Sequence, residues 1–135
     1  MLFRSTISQG ISSHAEGSNT TSFGDYSHSQ NRLTQANGIA SHAGGDSTVA
    51  TGNYSFIHSQ NSTVIGNRSV VLGGQNITGT TNDTVYVPKL NIVNIPSYDD
   101  DADAASGGLV TGDVYQTTGL APGPLNVAGI LMIKQ

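Results

Sequence analysis

The sequence predicts an all-β fold, a parallel β-roll in which every coil of the chain contains fourteen residues. The first observation is a register of glycines at intervals of fourteen: Gly10, Gly24, Gly38, Gly52 and Gly66. The second is a row of serines three positions after each glycine: Ser13, Ser27, Ser41, Ser55 and Ser69. The third is composition, because Val, Ile and Thr are frequent while no long amphipathic helical pattern occurs. A fixed repeat of this kind is the sequence signature of a solenoid.

Each repeat consists of two similar halves of seven residues, roughly G-x-x-S-x-A-x-G-x-x-T-x-A-x. Small residues alternate within each half, and alternation places them on one face of an extended chain. A turn-permissive Gly or Asn recurs every seven residues. We therefore expect five coils over residues 10–79, each with two short strands that end in turns, around a thin interior.

Small side chains bury little apolar surface, so a roll of this kind is expected to be marginal as an isolated chain. The last two coils are more apolar than the others, and we expect a thicker core or a subunit interface there. The apolar residues concerned are Ile57, Val64, Ile65, Val70, Val71 and Leu72.

Three further segments of the chain precede or follow the roll. Residues 1–9 form an N-terminal lead-in, residues 80–98 supply closing strands, and residues 99–135 form a C-terminal region with a short helix and strands. The segment 80–96 predicts a closing hairpin or strand pair, with prolines confined to an edge or a break. Within 98–108, aspartates precede alanines and a glycine pair, which is typical of a capped short helix.

Composition excludes several classes of function. Charged residues make up 10% of the 135 residues and the net charge is −4, so there is no basic footprint for nucleic acid. No apolar run is long enough to insert into a membrane, and residues 1–10 lack the apolar stretch of a signal peptide. The chain has no cysteine and hence no thiol chemistry.

Three histidines, His14, His28 and His42, occupy one repeat position, followed there by Phe56 and Val70. A functional interpretation makes them a metal ladder or a pH sensor, since imidazole titrates near pH 6.5. Metal ligands must converge on one point, however, whereas side chains in a ladder point in parallel. We expect a packed or surface ladder and no bound metal, and the ladder faces either a subunit or water.

Other patterns favour structural roles over chemistry. The aspartates at 99–103 lack the glycine and glutamate of a calcium loop, so helix capping is the better explanation. Six N-x-S/T sequons, at Asn19, Asn53, Asn61, Asn67, Asn76 and Asn82, follow from repeat composition. Phosphate-loop and nucleophile-elbow motifs are missing, and Glu16 is the only glutamate. We expect no enzymatic activity, no catalytic residues and no cofactor.

The segments STVATGNYS (47–55) and STVIGNRSVVLG (62–73) resemble the head repeats of trimeric autotransporter adhesins, which also occur in bacteriophage tail and head fibres. This resemblance covers residues 10–79 and implies a left-handed β-roll assembled as a homotrimer. The C-terminal segment around Gly107, Gly108, Leu109, Gly112, Asp113 and Tyr115 resembles the ends of phage structural proteins.

The resemblance implies a structural component of a phage virion, a fibre or spike that projects from the virion surface for host attachment. Its partners would be two further copies, other virion proteins, and a host surface glycan or protein. The alternative is the head fragment of a bacterial trimeric surface adhesin on the cell surface, and a polysaccharide-degrading spike is a third hypothesis. Tyrosine and arginine are enriched in binding hot spots, so the candidate binding residues are Tyr26, Arg32, Tyr54 and Arg68.

Overall fold

A computed structural model describes residues 5–120 and 127–135 of the chain. Residues 1–4 of the expected lead-in and residues 121–126 of the expected C-terminal region lie outside the described residues. The chain divides into two compact units, Met1–Leu90 and Asn91–Gln135. Among the described residues, no helix has the length and apolar character that crossing a membrane requires.

The first unit contains two six-stranded sheets, whose strands alternate along the chain. Sheet A contains, in order, β1 (Thr6–Ser8), β3 (Thr20–Ser22), β5 (Gln35–Ala36), β7 (Val49–Ala50), β9 (Thr63–Val64) and β11 (Thr78–Gly79). Sheet B contains, in order, β2 (His14–Ala15), β4 (His28–Ser29), β6 (His42–Asp46), β8 (Phe56–Gln60), β10 (Val70–Gln75) and β12 (Val85–Tyr86).

Every pairing in both sheets is parallel, and the register advances by one repeat. Thr6 pairs with Thr20 in sheet A, and His14 pairs with His28 in sheet B. Because each coil contributes one strand to each sheet, the unit is a parallel β-solenoid of about six turns of about 14 residues. The all-β coiled architecture predicted from the glycine register is thereby confirmed.

The fifth coil is one residue longer than the repeat. Counting from Gly66 aligns Thr78 with Val64, but Thr78 pairs with Thr63 and Gly79 pairs with Val64. The register of β10 against β8 shifts between Leu72 and Gln75. Between them lie Gly73 and Gly74, both with left-handed backbones, at φ of 70° and 71°. This pair absorbs the extra residue, because glycine adopts such angles without steric cost.

The segment 80–96 forms no hairpin. Its strand, β12, pairs in parallel with β10, with Val85 opposite Val70 and Tyr86 opposite Val71. The chain therefore begins a sixth turn after residue 79, and the apolar residues of β12 extend the roll. Both prolines, Pro88 and Pro96, lie outside the strands of the described residues, as the lack of an N–H requires.

The interior changes from polar to apolar along the roll. In the early coils the buried Ser22 and Ser29 face each other, with their hydroxyl oxygens 2.9 Å apart. The later positions hold the connected apolar core: Ala36, Ala43, Ala50, Ile57, Val64 and Val71. A thicker core in the last two coils is confirmed for Ile57, Val64 and Val71, whereas Ile65 and Leu72 remain 48% and 44% exposed.

The repeat glycines are required by close backbone approach. A Cβ atom on Gly10, Gly24, Gly38 or Gly52 would lie 2.0–2.2 Å from the carbonyl oxygen of the next glycine in the column, since each stacks directly on it. Their backbones are not left-handed; that conformation falls two residues later, for example at Tyr26 and Tyr54. The glycines begin the turns as expected, but the physical reason is packing between coils and not permissive dihedral angles.

The second unit, Asn91–Gln135, is a small three-stranded sheet with a helix. The elements are β13 (Ser97–Tyr98), α1 (Asp101–Ser106), β14 (Val114–Thr117) and β15 (Leu131–Ile133). Strand β14 lies centrally, parallel to β13 and antiparallel to β15. Asp100 caps the helix by accepting a hydrogen bond from the backbone N–H of Asp103, and Gly107 ends it. The short capped helix predicted from the aspartates and the glycine pair is confirmed.

Candidate functional site

The outer face of sheet B carries a row of histidines that continues into apolar residues. The central residue of the histidine row, His28, pairs with His14 on one side and His42 on the other. Ring centroids are 5.1 Å apart for His14 and His28 and 4.9 Å for His28 and His42, with the rings inclined by 61° and 85°. The imidazoles therefore form a packed ladder on the surface of the sheet, but their planes are not parallel.

The third histidine of the ladder, His42, contacts an apolar ring in the next coil. His42 stacks on Phe56 with centroids 4.6 Å apart and planes 12° apart. Burial lowers the pKa of the His42 imidazole below its ordinary value, and the charges of His28 and His58 lower it further. A neutral ring suits stacking on Phe56, since no charge has to be desolvated.

Beyond His42 the residues in the row of histidines are apolar. Phe56 is followed in the row by Val70 and Val85, which pair in register, and Leu72 lies opposite His58 beside them. Leu72 and Val85 are 44% and 61% exposed. We call Phe56, Val70, Leu72 and Val85 the apolar end of sheet B.

Glu16 is the residue that inspection of the histidine row missed. It lies two residues after His14, and its carboxylate contacts both neighbouring imidazoles: Oε2 is 3.7 Å from Nε2 of His14, and Oε1 is 3.6 Å from Nε2 of His28. The signal available in the sequence was the spacing H-x-E, since residues two apart in a strand share a face.

The serine row lines the turns between coils. Hydroxyls of Ser13, Ser41 and Ser55 donate hydrogen bonds of 2.6–2.8 Å to the carbonyl of the repeat glycine three residues earlier. Ser69 donates instead to the Thr81 carbonyl, at 2.6 Å. Ser27 is buried in the same row. Four of the five hydroxyls thus bond backbone carbonyls, whereas the buried Ser27 hydroxyl makes no hydrogen bond to a described residue.

The four candidate binding residues do not form one cluster. The same turn position holds Tyr26, Tyr54 and Arg68 in three different coils. The two tyrosines are 63% and 61% exposed. Arg32 lies in the other half of its coil, where it pairs with Asp46. Arg68 is likewise paired, with its Nε 2.6 Å from Asp83 Oδ1. One corner of the roll therefore presents tyrosines, while both guanidinium groups are held by the neighbouring coil.

Several asparagines of the sequons form a ladder along the turns. The side-chain oxygens of Asn53, Asn67 and Asn82 each accept a hydrogen bond from a backbone N–H one coil earlier, at 2.8–2.9 Å. Asp25 does the same for the N–H of Ile11. These contacts give the asparagines a structural role in linking coils.

The aspartates of the second unit are engaged in hydrogen bonds around the helix. Asp103 Oδ2 accepts from the Asp99 N–H, and Asp101 accepts from the Tyr115 hydroxyl at 2.8 Å and from the Gln135 N–H at 3.0 Å. These bonds lower the pKa of Asp101, with the Tyr115 bond as the largest cause. The cluster is organised around capping and a buried tyrosine.

Comparison of the chain with protein-family models, curated proteins and solved structures found no match.

Proposed function

We propose that this chain is a structural component of a bacteriophage virion, a trimeric fibre or spike that projects from the particle and attaches it to a host surface. The observation that carries the proposal is the unbroken ladder of parallel strands in sheets A and B. Backbone hydrogen bonds between successive coils make such a solenoid a stiff rod, and its repeats resemble those of adhesin heads and phage fibres.

Trimerisation of a left-handed roll is part of the proposal. The core contains small side chains in most coils, and so one chain buries little apolar surface. The apolar end of sheet B offers further apolar surface to a neighbouring copy, with Leu72 and Val85 projecting from it. Contiguous exposed apolar surface of this kind is typical of an association face.

Host attachment would use the turns. Tyr26 and Tyr54 are large, exposed side chains held by backbones with φ of 59° and 58°. Exposed tyrosines supply large contact area at low cost in conformational entropy and are suited to a glycan or protein surface. Other virion proteins would bind elsewhere on the chain, and no enzymatic step is required.

The oligomeric state is tested by multi-angle light scattering of the purified chain and of two matched variants. Leu72→Arg puts a charge into the apolar end of sheet B, and we expect it to dissociate the trimer. Leu33→Arg is the control, because Leu33 is similarly exposed (42% against 44%) but lies between β4 and β5. A folded wild-type monomer at micromolar concentration would contradict the assembly, as would equal effects of the two variants.

The location is tested by electron microscopy with an antibody against the roll. Labelling of phage particles supports the virion fibre, whereas labelling of bacterial surfaces in the absence of phage supports the alternative, an adhesin head. Incubation with host surface glycans is expected to give binding without release of fragments. Fragment release would instead support a polysaccharide-degrading spike.

A further inference from the structure

The first two coils bring three metal-ligating side chains together on the outer face of sheet B. One imidazole nitrogen of His14, one of His28 and a carboxylate oxygen of Glu16 all lie within 4.8 Å of one another. His14 and His28 are held opposite each other by strand pairing, and Glu16, the residue after β2, contacts both imidazoles. The backbone thus sets the spacing of the three groups.

The nitrogen of His28 in this cluster has no partner. Nε2 of His28 is inaccessible to solvent and makes no hydrogen bond to any described residue, since the nearest Glu16 oxygen, at 3.6 Å, is too distant. A buried polar atom without a partner costs about 1–3 kcal/mol. When this nitrogen carries no proton, its lone pair is available to a metal ion.

We propose that His14, Glu16 and His28 bind a divalent transition-metal ion, with Zn²⁺ as the fitting species. Two imidazoles and one carboxylate are a ligand set that Zn²⁺ accepts, with water at the fourth position. Alkaline-earth ions do not fit, because they prefer oxygen ligands throughout. The ring planes of His14 and His28 differ by 61°, so the two imidazoles are not stacked in parallel as in an ideal ladder.

The three ligand atoms lie within 4.8 Å of one another, so zinc binding has to draw them closer together. Ligands at about 2.0–2.1 Å from a tetrahedral zinc ion stand about 3.3 Å from one another. The two nitrogen–oxygen separations are 3.7 and 3.6 Å. The side chains of His14 and Glu16 are 66% and 56% exposed, so rotation about their own bonds can close the remaining gap.

The next coil supplies an internal comparison. Gln30 occupies the position of Glu16, and its Nε2 lies 3.4 Å from Nε2 of His42. An amide lacks the negative charge that favours binding of a cation, so two histidines alone do not reproduce the site. In the described residues, a group of at least three ligating side chains occurs only at His14, Glu16 and His28.

Zinc at this position would link the first two coils. The interior there is polar, with Ser22 and Ser29 in place of larger apolar side chains. An ion that binds the folded state and not the unfolded state raises stability according to its concentration relative to Kd. Bound zinc would thus stabilise the end of the roll where apolar packing contributes least.

The test uses the full-length chain, freed of metal by a chelator and then titrated with Zn²⁺ by calorimetry. We expect one Zn²⁺ per chain and a Tm that rises to a plateau with Zn²⁺ concentration. Glu16→Gln, which copies the neighbouring coil, should weaken binding about tenfold or more. His28→Phe should abolish it while keeping an aromatic ring in the ladder, as Phe56 does two coils later.

His58→Ala is the matched control, because it removes an exposed histidine outside the cluster. It should leave both the affinity and the rise in Tm unchanged. Histidine resonances in NMR provide a second measurement: Zn²⁺ should shift those of His14 and His28 and spare that of His58. Absence of binding at submillimolar Zn²⁺ would overturn the proposal, as would equal affinity in Glu16→Gln or equal loss in His58→Ala.

Discussion

The backbones of Gly24 and Gly38 lie in direct contact: a Cβ atom built on Gly24 would stand 2.0 Å from the carbonyl oxygen of Gly38. No side-chain rotation relieves this overlap, because both groups belong to the backbone. We expect Gly24→Ala to destabilise the roll by about 3 kcal/mol or to prevent folding, which is the upper end of overpacking. Urea unfolding at a fixed chain concentration measures the effect.

Gly44→Ala is the control for this change. A Cβ atom there would meet side-chain atoms, the closest being Nδ1 of His58 at 2.8 Å. The neighbours can rotate away, and the equivalent positions hold Glu16 and Gln30. The expected cost is below about 1 kcal/mol. Equal losses for the two variants would mean that backbone contact is not what selects glycine in this column.

Asn53 tests the contribution of the turn ladder. Its Oδ1 accepts a hydrogen bond of 2.9 Å from the N–H of Ile39. Asn53→Ala removes the acceptor, and we expect a loss of about 0.5–1.5 kcal/mol in the free energy of unfolding. Asn53→Asp retains an acceptor, as Asp25 does two coils earlier, and should lose less. A larger loss for the aspartate variant would refute this account of the ladder.

Ile57 tests the apolar part of the core. It is fully buried, and Ala43 occupies the same position one coil earlier, so the backbone there accommodates alanine. Ile57→Ala should therefore leave the fold intact but create a cavity that costs about 2–5 kcal/mol. Ile39→Ala, at a 43% exposed position, should change stability by roughly 0.5 kcal/mol. Thermal unfolding distinguishes the two, and similar losses would count against an apolar core.

Tyr115 makes the second unit sensitive to alkali. The side chain is fully buried, and burial together with the bond to Asp101 raises its pKa from 10.0 to about 12. The unfolded chain releases this proton at lower pH than the folded chain. Stability is therefore complete below pH 10 and decreases as the pH rises from 10 to 12.

Circular dichroism of unfolding across this range measures the loss, and tyrosinate absorbance follows the proton. Tyr115→Phe should flatten the alkaline decrease, although it also removes the hydrogen bond to Asp101. Tyr54→Phe, in the first unit, should leave the decrease unchanged. Persistence of the full decrease in Tyr115→Phe would assign it to another group.

Some features that sequence inspection did not resolve depend on neighbours in the next coil. The reason for glycine at Gly24 is the position of the Gly38 carbonyl, and one partner of Glu16 is His28, which lies in the next coil. The extra residue at Gly73 and Gly74 shifts Thr78 onto Thr63. Each of these facts depends on how one coil stacks on the next. The spacing of residues along the chain does not specify this stacking.

The sequence by itself determined the period, the parallel coiled architecture and the short capped helix. These follow from strict periodicity and from capping residues adjacent in the chain, both of which are local. Only the tertiary structure decided that β12 continues the roll and that His14, Glu16 and His28 lie close together. The physical reason is that strand pairing brings together residues fourteen or more positions apart, and their side-chain distances exist only after the coils have stacked.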